Sequence, residues 1–233
     1  MPDRYFLEYE PTSGVVTFDD NEANHLAKVM RAKVGDQVTA FDGKGLEYQV
    51  ELTEVSKRSV RGQVVSAEAI DREPARRLTL GVALPKGERQ RWLVEKCVEL
   101  GVTRLVPLVT AHGVAQPVEN ALARLRKYVI EATKQCGRNR LMEIGQPQTC
   151  AVMTGEAPES GARWLLHPTA DNQLSEVSLD WQDLTALIGP EGGFSEDEVN
   201  QARERHWQIV DLGPRILRVE TAAVAIAARV SLG

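Results

Sequence analysis

A chain of 233 residues, 42% hydrophobic and 26% charged, has the composition of a globular protein long enough for one large core or two modest ones, and two is the expectation here. Its three cysteines, Cys97, Cys136 and Cys150, are odd in number and far apart, and its four histidines are scattered, so neither a disulfide framework nor a zinc site is indicated. No uncharged apolar run reaches the roughly 18 residues of a membrane helix, and Met1-Pro2-Asp3-Arg4 does not begin a secretory signal, so a cytoplasmic protein without membrane or metal is expected. The net charge of −5 does not advertise a nucleic-acid binder, but it is unevenly spread. Residues 1–72 carry 9 basic and 13 acidic side chains, 73–145 carry 13 and 7, and 146–233 carry 6 and 13. Only the middle third is basic, which on an RNA substrate points to Arg76, Arg77, Lys86, Arg89, Arg91, Arg124, Arg126, Lys127, Lys134, Arg138 and Arg140; the competing reading is a solvated helix face.

In chain order, short strands are expected over Gly14–Phe18, Gln37–Phe41, Leu46–Val55 and Ser59–Val65, with Asp42-Gly43 as a tight turn. Leu46, Tyr48, Val50 and Leu52 alternate with polar neighbours, a period of two that predicts a half-buried antiparallel sheet closed or nearly closed as a small barrel, with one helix over Glu22–Arg31. This gives a first domain over residues 1–70 and, around Pro74, a linker over 71–77.

From residue 78 to 233 the pattern changes to short apolar runs separated by helices. Leu78–Leu84, Arg104–Val109, Arg163–Leu166, Leu184–Ile188 and Gln208–Leu212 suit a buried parallel sheet. Helices are predicted over Gly87–Leu100, ending at Gly101, and Ala121–Cys136, ending at Gly137, with Cys97 and Cys136 on their core faces. Thr149–Ala162 is rich in small and turn-forming residues and reads as irregular connection. The last helix, Glu220–Leu232, is apolar or small on nearly every face and must be buried in the core or against a second subunit.

Two loops carry the chemistry. Leu187-Ile188-Gly189-Pro190-Glu191-Gly192-Gly193-Phe194-Ser195 leaves a strand through glycines and enters a helix with Ser195 and Glu198 in capping-box spacing. A strand-to-helix turn of an α/β sheet is where ligands usually bind. The loop lacks the Gly-Lys-Ser/Thr ending of a P-loop, and Glu191 would repel a polyphosphate. Taken alone, the run is equally a Gly-Pro connector. The second loop, Leu212-Gly213-Pro214-Arg215-Ile216-Leu217-Arg218-Val219-Glu220-Thr221-Ala222, changes that balance.

Together these loops resemble the SPOUT superfamily of S-adenosylmethionine-dependent RNA methyltransferases, and within it the RsmE family, which methylates N3 of a uridine in 16S ribosomal RNA. The resemblance extends through Arg4-Tyr5-Phe6, His25–Arg31, Gly35-Asp36, Phe41–Gly45, Lys86–Arg89, Glu99–Val102 and Glu131–Arg138. It departs at Thr110-Ala111-His112-Gly113, where the family has a polar stretch containing an Arg, and at Met142, where a Pro is usual. The resemblance implies a PUA-like β-barrel RNA-binding domain, then an α/β SPOUT domain with a C-terminal trefoil knot, and a homodimer. Neither the knot nor the dimer is readable from periodicity.

For the site, the resemblance implies S-adenosyl-L-methionine bent among three loops: Leu166 and His167; Leu187, Ile188, Gly189, Pro190, Glu191, Gly192 and Gly193; and Leu212, Gly213, Ile216, Leu217, Thr221 and Ala222. RNA contacts are expected at Arg4, Lys28, Arg31, Lys86, Arg89 and Arg138, with 16S rRNA of the small ribosomal subunit as partner. Uracil N3 must lose its proton to become nucleophilic, so a guanidinium that holds the resulting anion is needed, and Arg218 is the candidate. Glu220 is named beside it as base or orienting group; on residue type alone the two read rather as a structural ion pair, and it is the motif that reverses that preference. Two rival readings stay open: an RNA-binding factor without activity, and a methyltransferase of another RNA position.

Overall fold

A computed structural model describes residues 3–56, 59–113, 119–158, 160–170, 172–178 and 180–232, and divides into two compact units. The first comprises Met1–Glu73 with Ile130–Leu141, the second Pro74–Val129 with Met142–Gly233.

The first unit is built on β1 (Arg4–Phe6), β2 (Val15–Thr17), β3 (Gln37–Phe41), β4 (Leu46–Val55) and β5 (Val60–Ala69), hydrogen-bonded in the order β1-β3-β4-β5-β2. The expected alternation holds in β4, where Tyr48, Val50 and Leu52 are buried, but Leu46 lies at the exposed end. One expectation is corrected: β1 runs parallel to β3, so the sheet is not wholly antiparallel. Of the two expected forms, closed or nearly closed, no pairing of β1 with β2 among the described residues closes the ladder. The β3–β4 turn forms because the Asp42 carboxylate accepts hydrogen bonds from the backbone N–H of Lys44, Gly45 and Leu46 (2.7, 3.1 and 3.1 Å), while Gly43 takes a left-handed φ of 71°.

Helix α1 (Asp20–Asn24) starts earlier than expected because Asp19 caps it, accepting from Glu22 N–H at 2.7 Å. It then widens into a π-helical turn, His25–Val29, in which Met30 N–H reaches His25 C=O at 3.0 Å, and the chain leaves through Arg31 at φ 53°. The glutamate side chain of Glu22 is buried against Lys134, and burial holds its carboxyl above the usual range despite that ammonium.

The second unit contains β6 (Arg77–Val82), α2 (Arg89–Glu99), β7 (Arg104–Val109), α3 (Glu119–Cys136, its last turns assigned to the first unit), β8 (Glu143–Ile144), β9 (Gln148–Thr149) and α4 (Cys150–Glu156). It continues with β10 (Ala162–Leu166), β11 (Asn172–Gln173), β12 (Asp183–Ile188), α5 (Glu196–Glu204), β13 (Gln208–Asp211) and α6 (Val219–Leu232). The sheet order is β11-β13-β10-β12-β6-β7-β8, with β9 also on β7, and every pairing is parallel. Leu78, Leu80, Leu105, Leu165 and Leu187 are at most 1% exposed, which is why these strands read as continuous apolar runs. Gly101 and Gly137 end α2 and α3 in left-handed conformation (φ 74° and 84°), as their positions require. Cys97 is fully buried and its thiol pushed up to about 12 by desolvation; Cys136 is only half-buried.

Thr149–Ala162 is not irregular throughout. Thr149 caps α4 by accepting from Val152 N–H at 3.2 Å, and Cys150, Met153 and Thr154 are buried, so tertiary packing overrides weak propensity. Helix α6 packs on α2, β6 and β12 through Ala223, Ile226, Ala227 and Val230, leaving Leu232 exposed.

Two residues assigned to RNA are structural. Arg138 is 4% exposed and doubly bonded to Glu73. Arg4, 9% exposed, donates to the carbonyls of Thr133 and Arg138 and to Glu47 and Asn139, with its guanidinium 4.6 Å from the Phe41 ring centre. Replacing Arg138 with alanine leaves Glu73 without that partner, and the expected loss of unfolding free energy is about 3–5 kcal/mol in urea denaturation, the range for breaking a buried pair.

Candidate active site

The register of the parallel strands sets the site. Leu166 lies opposite both Ile188 and Val210, so β10, β12 and β13 release their chains at one level of the sheet edge. A cleft of about 380 Å³ opens there. Its walls are largely aliphatic, with Leu166, Ile188, Val210, Leu212, Leu217 and Ala222, and its rim is polar. A cleft at the carboxyl ends of a parallel α/β sheet defines the class: a ligand-binding α/β protein rather than a passive scaffold.

The loop after β12 is held from several sides. Gly193 N–H donates to Pro190 C=O at 2.8 Å, closing a turn, and Gly193 takes φ 73°. Phe194 is buried beneath it, and a Cβ at Gly189 would lie 3.0 Å from the Phe194 ring, so a side chain there would have to push that ring aside. Ser195 and Glu198 form the full capping box of α5. The same Glu198 carboxylate accepts a second hydrogen bond, from Ala111 N–H at 3.0 Å, and His112 Nδ1 stands 3.2 and 3.3 Å from the carbonyls of Gly192 and Gly193. His112, where the family pattern has an Arg, thus braces the glycine loop as a donor. The loop after β13 turns on Gly213 (φ 104°), whose N–H donates to Asp211 at 3.1 Å.

Charge is concentrated beside the cleft. Arg89 contacts Glu191 at 3.2 Å and Glu220 at 3.6 Å. The Glu191 carboxyl is held below the usual range by its own backbone N–H, then by Arg89 and Lys86, so it stays ionised to lower pH than a free glutamate. Glu220 is 7% exposed, and its Oε2 is buried without a hydrogen-bond partner. Arg218 lines the cleft and is exposed. Burial lowers the pKa of His167 at the rim, so it is neutral over a wider pH range than a free histidine.

Most residues singled out for the cleft line it: Leu166, His167, Ile188 to Gly193, Leu212, Ile216, Leu217, Arg218 and Ala222. Leu187, Gly213, Thr221 and Glu220 do not. The Leu187 side chain points into the sheet core, filling the space left by Gly81; Thr221 is exposed on α6; Glu220 is buried beside Arg89. Pro168, Thr169, Phe194, Val210, Asp211, Arg215 and Val219 also line the cleft and were not named from the sequence. Phe194 alone carried a signal, as an aromatic directly after two glycines. Of the basic residues expected at RNA, Lys28, Arg31 and Lys86 are exposed and Arg89 is partly so. Arg77, Arg91 and Arg126 are paired with Asp183, Glu95 and Glu119, as a solvated face would be.

Comparisons with known proteins agree with this geometry. A model of the RNA methyltransferase domain matches residues 71–231, and one of the RNA methyltransferase PUA domain matches residues 18–65. The chain is 30% identical to ribosomal RNA small subunit methyltransferase E of Bacillus subtilis over 94% of its own length and 92% of the relative. Among solved structures, the Neisseria gonorrhoeae methyltransferase E bound to S-adenosyl methionine superposes with a TM-score of 0.90 at 30% identity, covering 98% of this chain and 96% of that one. A putative methyltransferase of Legionella pneumophila, also with that cofactor bound, gives a TM-score of 0.91 at 28% identity over 100% and 98% of the two chains. The two units are therefore a PUA-like domain and an α/β methyltransferase domain. The chain belongs to the ribosomal RNA small subunit methyltransferase E family of RNA methyltransferases.

The Glu198 brace is directly testable. Glu198→Ala removes the box and the link to Ala111; the expected cost is about 1–2 kcal/mol, as for loss of a helix cap, with amide exchange quickened at Ala111 and Ser195 in hydrogen-exchange measurements.

Proposed function

We propose that the protein transfers the methyl group of S-adenosyl-L-methionine to N3 of a uridine in 16S ribosomal RNA of the small subunit. The observation that carries this reading is the cleft where β10, β12 and β13 end together, with aliphatic walls, glycine turns and Arg218 at its edge. Adenine suits the aliphatic crevice, and the turn at Gly193 leaves open space beside its backbone for a polar ligand; a Cβ there would meet nothing within 4 Å. Glu191 in the turn suits a cationic ligand and disfavours a polyphosphate. The bound cofactor supplies a methyl group already activated on a sulfonium.

The protein then has to orient the base and hold the charge that N3 deprotonation creates. Arg218 does the second, its guanidinium remaining charged at every working pH. Glu220, buried behind the cleft, orients the neighbouring basic groups through Arg89. Residues 1–70 serve as the RNA-binding domain, joined through 71–77 to the methyltransferase domain at 78–233, with exposed Lys28 and Arg31 as RNA contacts beside Lys86 and Arg89.

The C-terminal segment is proposed to thread a trefoil knot; β13 inserts beside β10 rather than beside its predecessor β12, a return that such threading requires. A homodimer is proposed through α6, whose Val224, Ala225 and Ala228 remain partly exposed beside exposed Leu232, and through Ile216, 87% exposed at the cleft. Among the described residues no helix is long and apolar enough to cross a membrane and no acidic, histidine or cysteine cluster would hold a metal; the place of action is proposed to be the cytoplasm.

Incubation with labelled S-adenosylmethionine and unmodified small subunits, followed by nucleoside mass spectrometry, is expected to yield 3-methyluridine; a different methylated nucleoside, or none, would reject the assignment. Arg218→Ala is expected to lower kcat about 10²- to 10³-fold, as for loss of a preorganised charge-stabilising donor, with cofactor affinity by calorimetry unchanged. Gly213→Val forces a β-branched residue to φ 104° and is expected to abolish that affinity.

A further inference from the structure

The Pro190–Glu191 turn has a cavity on each side. One is the cleft at the ends of β10, β12 and β13; the other, of about 260 Å³, opens at the ends of the neighbouring strands β12, β6 and β7. Pro190 and Glu191 line both. The second cavity has apolar walls in Ala83, Leu84 and Leu108, and polar groups in Lys86, Arg89 and the shared Glu191. Two buried polar atoms without hydrogen-bond partners stand behind it. Thr110 Oγ1 backs Gly113 on its lining, where a Cβ would come within 2.8 Å of that hydroxyl, and Glu220 Oε2 belongs to the carboxylate that contacts Arg89.

We propose that this second cavity seats the target pyrimidine, with Glu191 accepting the N3–H and Arg89 and Lys86 donating to the flanking carbonyl oxygens. The inference rests on the methyltransferase reading above and deepens it. Uracil presents acceptor, donor, acceptor along its Watson–Crick edge, and single-stranded bases are read on that edge once unstacked. The cavity offers the complement: an acceptor carboxylate with a guanidinium nitrogen 3.2 Å away, and an ammonium near enough to help depress the same carboxyl. Cytosine fails this match, since its amino group would face a cation and its N3 a carboxylate, so the arrangement selects uracil as well as placing it.

The position serves the chemistry. A base in this cavity has its N3 at the Glu191 side chain, which lines both cavities, so once that carboxylate has taken the proton and turned out to solvent the N3 lone pair faces the first cleft and its methyl donor. The N3–C bond forms as the sulfonium C–S bond breaks, and the N3 proton passes to a Glu191 oxygen and on to water, to which that side chain is 59% exposed. Arg89 and Lys86 make N3 more acidic by stabilising the anionic oxygens. Each carbonyl oxygen has two lone pairs, so Arg218 on the cleft side and Arg89 inside the second cavity are compatible donors to one oxygen.

The test measures binding of uridine 5′-monophosphate and cytidine 5′-monophosphate to the S-adenosylhomocysteine-loaded protein by ligand-observed NMR titration. It uses the wild type, Arg89→Gln, which keeps side-chain bulk, and Ala83→Leu, which fills the cavity. The expected result is a preference for the uridine nucleotide that falls about tenfold or more in both variants, in line with loss of a charged hydrogen bond, while S-adenosylhomocysteine affinity stays within twofold. The KM for small subunits should rise in Arg89→Gln. Equal binding of the two nucleotides, no uridine binding by the wild type, or affinities unchanged by both substitutions would overturn the proposal. So would a parallel loss of S-adenosylhomocysteine, which would assign the cavity to the cofactor. Should Ala83→Leu fail to fold, Arg89→Gln alone decides. The methyltransferase reading fails separately, by a wild type that makes no 3-methyluridine.

Discussion

Every pairing in the large sheet is parallel, and the rest of the second unit follows from that. Parallel neighbours cannot be joined by hairpins, so after β6, β7, β9 and β12 the chain returns through α2, α3, α4 and α5, and the carboxyl ends come to one edge. Crossovers also cover both faces, which is why Leu80, Leu105 and Leu165 are fully buried and why the strands carry no polar alternation. At the shared edge the backbone leaves regular pairing with N–H and C=O groups to satisfy. A ligand site there costs the fold little, because those groups lack strand partners in any case.

What turns that edge into a defined site is a small set of hydrogen bonds around one carboxylate. Glu198 satisfies Ser195 N–H in the capping box and Ala111 N–H in the turn after β7, while His112 reaches the carbonyls of Gly192 and Gly193. A glycine-rich loop loses more conformational entropy on ordering than any other, so it needs such external ties to keep one shape. At the departure from the family pattern, Thr110 to Gly113, the chain still ties the glycine loop to the turn after β7. The histidine supplies the donor for that brace.

Legibility in the sequence followed the physics of each element. The buried strands and the long helices announced themselves through apolar runs and 3.6-residue periodicity, and the capping box at Ser195 was fully readable because it is local. Strand β1 is only three residues, and its partner β3 lies over thirty positions away, so nothing local marked it. Helix α4 was hidden by Thr154 and Gly155, poor helix formers kept in place by burial of Cys150 and Met153. At the site, backbone turns were foreseen from their glycines, but the direction of a side chain was not. Leu187 alternates inward to fill the space at Gly81, and Arg4 and Arg138 are drawn into buried ion pairs that no charge count reveals. The second cavity was invisible for the same reason: Ala83, Leu108 and Pro190 meet only because β6, β7 and β12 are neighbours.

The account stands on the loops after β10, β12 and β13 forming one cradle for S-adenosylmethionine through their backbone. Amide hydrogen exchange of the protein with and without saturating S-adenosylhomocysteine tests this most directly. The account predicts slowed exchange confined to His167–Thr169, Gly189–Phe194 and Leu212–Val219, with the ends of β8 and β11 unchanged. Saturable binding with protection elsewhere, or no protection at Gly192 and Gly193, would contradict it.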